Sequence, residues 1–201
     1  MALNFANNNS LSAITTKPSG LSGGAMTLLE TQTASSSSTI SFTSGIDDTY
    51  DEYVFKFYNV HASADGNNLT FQGSTDTGSN YNTTLTSSYF EAYHAEADSA
   101  NGLGYEANKD LAQSTSFQPL FWSNGADNDE SNNGVLRLFN PSSTTFVKHF
   151  MHTGSHNVNY DYAIHTYMAG YFNTTSAIDA IQFKMSSGDI DAGDICLYGI
   201  L

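Results

Sequence analysis

His149, His152 and His156, spaced H-x2-H-x3-H with His165 nearby, are the residues whose types and spacing most suggest chemistry. Imidazoles this close ligate transition metals when a helix gathers them on one face. The surrounding KHFMHTGSH reads instead as a strand running into a glycine turn, and along a strand His149 and His152 point to opposite faces. We therefore expect surface or interface histidines, no metal, and pH sensitivity at about 6.5, the ordinary imidazole range.

Carboxylates are the next candidates. GIDDTYDEY, GADNDESNNG and SGDIDAGD are acidic turns, and Asp129, Ser131, Asn133 and Gly134 partly imitate a calcium-binding EF-hand loop. The imitation fails where a bidentate Glu is needed, since that position is Asn140 and the flanks read as strands. A glycosidase needs two carboxylates facing a sugar cleft, but Glu91, Glu96, Asp47, Asp48 and Asp51 form no defined pair. There is no G-x-S-x-G elbow and no P-loop, so no catalytic residues and no cofactor are expected. The single tryptophan, Trp122, and the many tyrosines are groups that stack on sugars, although aromatics in strands usually belong to the core. Cys196 is alone in the apolar DICLYGIL and reads as a buried small hydrophobe.

The elements that must position these residues are short strands. EYVFKFYNVH sets Tyr53, Phe55 and Phe57 on one face and Val54, Lys56, Tyr58 and Val60 on the other. Both faces are mostly apolar, which predicts a central strand covered twice or one whose outer face meets another subunit. NLTFQGS, YNTTLTSSYFEAYH, GVLRLF, TTFVKHFM, DYAIHTYMAGYF, AIDAIQFKMSS and DICLYGIL follow, separated by turn chemistry such as NPSS, HTGSHN and NTTS. A helical turn over 107–113 is compatible with the Ala- and Glu-containing stretch there. About nine or ten strands predict an all-β chain, an antiparallel β-sandwich with the jelly roll as its leading version and a closed barrel as the alternative. Residues 1–25 are polar, with NNNS, TTKPSG and LSGG, and read as an extended N-terminal arm to a single domain over 26–201.

Composition narrows the partners. Six Lys and Arg against 20 Asp and Glu give a net charge of -14, yet only 13% of the 201 residues are charged and about a third are Ser, Thr or Asn. Six scattered cations cannot form the positive stripe that nucleic acid requires, and an anionic membrane surface is disfavoured for the same reason. The first 20 residues have neither the basic nor the apolar region of a secretory signal, so synthesis in the cytosol is expected.

The segments SFTSGIDDTYDEYVFKFYNVH, PSSTTFVKHF, AGYFNTTSAIDAIQFKMSSGDIDAG and LYGIL, with TKPSGLSGGAMTLLETQTAS before them, resemble a family of virion structural proteins from marine tailed bacteriophages, including those of cyanobacteria. The resemblance implies a non-enzymatic virion component, made in the host cytoplasm and assembled on the particle exterior. Two placements follow. A capsid decoration, or cement, protein would be a homo-oligomer, with a trimer the leading form, and would contact the major capsid protein through arm anchors Phe5, Leu11, Ile14, Leu21 and Met26. A tail-fibre, baseplate or other appendage protein would join tail components and meet host-surface glycans. The absence of coiled-coil heptads or fibrous repeats favours decoration.

Overall fold

The computed structural model describes residues 26–201, and these form twelve strands and no helix. They are β1 (Thr27–Thr33), β2 (Ile40–Phe42), β3 (Glu52–Ala62), β4 (Asn67–Ser74), β5 (Leu85–Ala95) and β6 (Asn101–Tyr105), then β7 (Gln118–Asn124), β8 (Asn132–Phe139), β9 (Lys148–Val158), β10 (Tyr162–Phe172), β11 (Ala180–Met185) and β12 (Ile190–Ile200). The chain is all-β and every pairing is antiparallel. Of the segment over 107–113, read as a helical turn, only 107–109 form a turn, closed by Lys109 N–H donating to the Glu106 carbonyl at 3.0 Å, and the rest is irregular.

Hydrogen bonds connect the strands in the order β1-β12-β3-β8-β9-β7-β4-β11-β2, while β10, β5 and β6 extend in sequence from β9. The sheet curls over itself until it is nearly closed and barrel-like. Its inner faces meet in an aromatic core, because large rings bury the most apolar area per ordered residue. Phe42 and Phe183 meet Phe55 edge-on at 5.3 Å, and Phe71 meets Phe150 at 5.2 Å.

Tyr53, Phe55 and Phe57 of β3 point into this core, as the alternation predicts. Val60 departs from its predicted face. Asn59 adopts a φ of 49°, the register shifts between Phe57 and Val60, and the extra residue returns Val60 to the core side. On the outward face of β3 Val54 is buried and Tyr58 is exposed, and the Lys56 ammonium lies 5.1 Å from the centre of the Tyr198 ring of the adjacent β12 on that same face. Cys196 is buried, as expected, and accepts a hydrogen bond from Thr31 at 3.4 Å.

One close approach is essential to the core. Gly134 and Gly154 face each other across β8 and β9, and the Phe121 ring rests on them. A Cβ on Gly154 would lie 2.2 Å from that ring. We predict that Gly154→Val costs about 2–3 kcal/mol, the penalty of overpacking, measured as a lowered denaturant midpoint with an unchanged slope.

Candidate functional site

The histidine series is split by strand geometry. On β9 the residues with even numbers face inward, so His152 and His156 are interior while His149 is exposed. His165 on β10 is also exposed and accepts from or donates to the Tyr167 hydroxyl at 3.1 Å. The expectation of surface histidines thus holds for His149 and His165 and is corrected for the other two. The cause is the sheet order: β9 lies between β8 and β10, and its inner face is roofed by Phe57 and Phe121. His152 stands edge-on to Phe121 at 4.8 Å, and neither of its ring nitrogens has a hydrogen-bond partner among the described residues. His156 meets the Trp122 carbonyl at 3.1 Å. Burial pushes the His152 imidazole down to about 3 and that of His156 to about 4.

The acidic candidates are likewise dispersed. Asp47 follows β2, where Thr49 N–H and the Tyr53 hydroxyl donate to its carboxylate and hold it below the usual carboxylate range. Glu96 is exposed on the turn after β5. Asn133 and Gly134 belong to β8, and the Asn133 amide oxygen accepts from Asn59 N–H at 2.9 Å. Among the described residues, no three His, Cys, Asp or Glu side chains are placed to share a metal ion. Met26 is half-buried just ahead of β1, whereas Phe5, Leu11, Ile14 and Leu21 lie outside the described residues.

The feature with chemical character is an aromatic pocket beside a buried carboxylate. Glu91 lies on the inward side of β5, between Gly104 of β6 and Thr166 of β10, and is only 3% exposed. The Trp122 indole N–H donates to Glu91 Oε2, and the Lys109 ammonium stands 3.7 Å from the same oxygen. Lys109 also pairs with Glu106 at 3.0 Å and lies over the Trp122 ring, 3.4 Å from its centre. Burial raises the Glu91 carboxyl above its ordinary range, opposed by Lys109 and by the indole donor.

Three elements hold this cluster. Lys109 is set by the turn after β6, where Gln118 of β7 donates to its carbonyl at 2.9 Å. Trp122 comes from β7. The β9–β10 hairpin supplies Tyr160 and Tyr162 through the loop Asn159, Tyr160, Asp161, in which Asp161 takes a φ of 60°. Such a three-residue loop with one left-handed position is a standard antiparallel connection. It is fastened to β7 by the Ser123 hydroxyl, which donates to Asn159 at 2.9 Å.

A cavity of about 190 Å³ opens here, bounded by Glu91, Tyr93, Trp122, Tyr160 and Tyr162 and floored by Ala100 and Ile164. Tyr160 stands edge-on to Tyr162 at 4.9 Å, and Tyr93 stacks on Tyr162 at 5.9 Å. Tyr93 takes this position because its cross-strand partner is Gly102: a Cβ there would meet the tyrosine ring at 2.9 Å. Of these residues, Trp122 and Glu91 were candidates from sequence, for different chemistries, and nothing in their spacing joined them. Tyr160, Tyr162 and Lys109 carried no signal beyond residue type.

The lining combines four aromatic residues, three of them tyrosines, with a single carboxylate residue. No family model, curated protein or solved structure matches the chain.

Proposed function

We propose that this chain is a non-enzymatic structural protein of a bacteriophage virion, most simply a capsid decoration protein, and that its domain is a jelly-roll sandwich. The observation that carries the reading is the nesting of its strand pairs. β1 pairs with β12, β2 with β11, β3 with β8 and β4 with β7. Eight strands thereby fall into two groups, β1-β12-β3-β8 and β2-β11-β4-β7, which is jelly-roll order. The hairpins β5–β6 and β9–β10 are insertions that widen the first group. Jelly rolls are a recurrent architecture of viral capsid and lectin domains, and the segments that resemble phage virion proteins include β1, β11 and nearly all of β3, with parts of β2 and β12, among these eight strands.

The outer surface suits packing against copies of the chain or a capsid lattice. Tyr105, Phe90 and Tyr167 form one row across β6, β5 and β10, with Phe90 and Tyr167 stacked at 4.9 Å. Leu103 is 73% exposed and Met151 is 52% exposed on the same side. Patches of this kind mark association surfaces. In this proposal the domain is a homo-oligomer, with a trimer the leading form, and residues 1–25 reach the major capsid protein. The appendage placement, with glycan contact, has the aromatic pocket in its favour.

Removing Ala2–Gly24 is expected to abolish incorporation into heads while leaving thermal unfolding of the domain unchanged. Quantitative electrophoresis of purified particles reads the first and calorimetry the second. Heads normally filled by the truncated protein would overturn the decoration reading, as would label confined to the tail in micrographs of intact particles.

A further inference from the structure

We infer that the pocket between β5, β7 and the β9–β10 hairpin is a binding site for a single neutral sugar ring, a hexopyranose residue of a larger glycan. The inference stands on the pocket itself and does not depend on where the protein sits in a particle.

Size sets the first limit. At about 30 Å³ per water, 190 Å³ holds roughly six waters, far below the 300–1,000 Å³ of pockets for drug-sized ligands. One ring fits, with the rest of a glycan outside. The lining sets the second limit. Sugar rings present C–H faces to aromatic planes and hydroxyls at their edges, so they need rings and polar atoms together. Trp122, Tyr160 and Tyr162 provide the planes. Tyr93, Tyr160, Tyr162 and Glu91 are lining residues that carry polar side-chain atoms. Tyr160, at 42% exposure, stands at the entrance, and its loop is fastened to Ser123 and is therefore preorganised.

An aromatic box beside a carboxylate also describes a trap for methylated ammonium groups, so charge decides between the two. Glu91 already faces the Lys109 ammonium at 3.7 Å, and that ammonium covers the Trp122 ring at 3.4 Å without lining the cavity. The cation–π capacity of the indole is thus engaged by a residue of the chain, and an incoming cation would meet a positive charge directly behind the ring. A neutral sugar meets no such penalty. Lys109 also holds the indole plane and the carboxylate in one fixed relation, which lowers the ordering cost of binding.

Because Trp122 is the only tryptophan, its fluorescence reports on this site alone. The full chain is titrated with methyl glucopyranoside, methyl galactopyranoside and N-acetylglucosamine, and in parallel with choline. At least one sugar is expected to give a saturable change with a Kd on the order of 1 mM, and choline none. Tyr160→Ala is expected to weaken sugar binding about tenfold or more, a loss of about 1.4 kcal/mol. Its melting temperature is expected to stay near that of the parent, since the ring is partly exposed. Tyr105→Ala, on the outer face, serves as the control and is expected to bind normally. The proposal is overturned by absence of a saturable response to all three sugars, by undiminished binding in Tyr160→Ala, or by tighter binding of choline.

Discussion

Lowering the pH from 7.5 to 4.5 is expected to remove about 5 kcal/mol of folding stability, at least about a third of the 5–15 kcal/mol typical of a domain. His152 and His156 are held neutral by burial, with imidazoles lowered to about 3 and about 4. In the unfolded chain they titrate at about 6.5. Between those values the unfolded state binds more protons than the folded one. The contribution is fully present above pH 6.5 and drains away as pH falls towards 4, at about 1.4 kcal/mol per pH unit for each residue. Glu91 acts in the opposite sense, because burial raises its carboxyl, and offsets a part. Asp47 and Asp76, lowered by hydrogen bonds, act only in more acidic solution.

The check is a series of denaturant melts of the parent and His152→Phe from pH 7.5 to 4.5. Phenylalanine keeps the edge-on contact with Phe121 and removes two unpartnered nitrogens. About half the acid slope should vanish with it. An identical slope in both proteins would show that His152 does not control acid unfolding.

Lys109→Met is expected to destabilise the protein by about 3–5 kcal/mol at neutral pH, since it leaves a buried carboxylate without its cation. Glu91 has a side chain only 4% exposed and would retain the indole donor alone. The loss should shrink as the solution is acidified and Glu91 takes up a proton. Adding Glu91→Gln to Lys109→Met should recover most of the stability, because a neutral amide tolerates the same site far better than an unpaired charge. Equilibrium denaturation of the parent, both single variants and the double variant gives the coupling directly. Lys109→Met with stability equal to the parent would mean that the pair contributes nothing.

Local pattern carries some of this protein and fails for the rest at identifiable residues. Alternation in EYVFKFYNVH places Tyr53, Phe55 and Phe57 on one face, and they are core residues. It misplaces Val60, because a bulge at Asn59 is a property of pairing with β8 and β12 and not of the strand alone. The glycines of NGLGY obscured a strand, β6, whose small residues make room for Tyr93. The polar run SNGADNDESNNG reads as an exposed loop, but its ends enter β7 and β8, where Asn124 and Asn132 are buried.

By itself the sequence determined an all-β chain, the alternation of its strands, a net charge of -14, and a cysteine buried among apolar neighbours. Period two is local, so residue order suffices to read it. Which face turns inward and which strands become neighbours depends on pairings between residues far apart in the chain. Those pairings alone bring His152 under Phe121, set Lys109 against Glu91, and draw Trp122, Tyr160 and Tyr162 around one pocket.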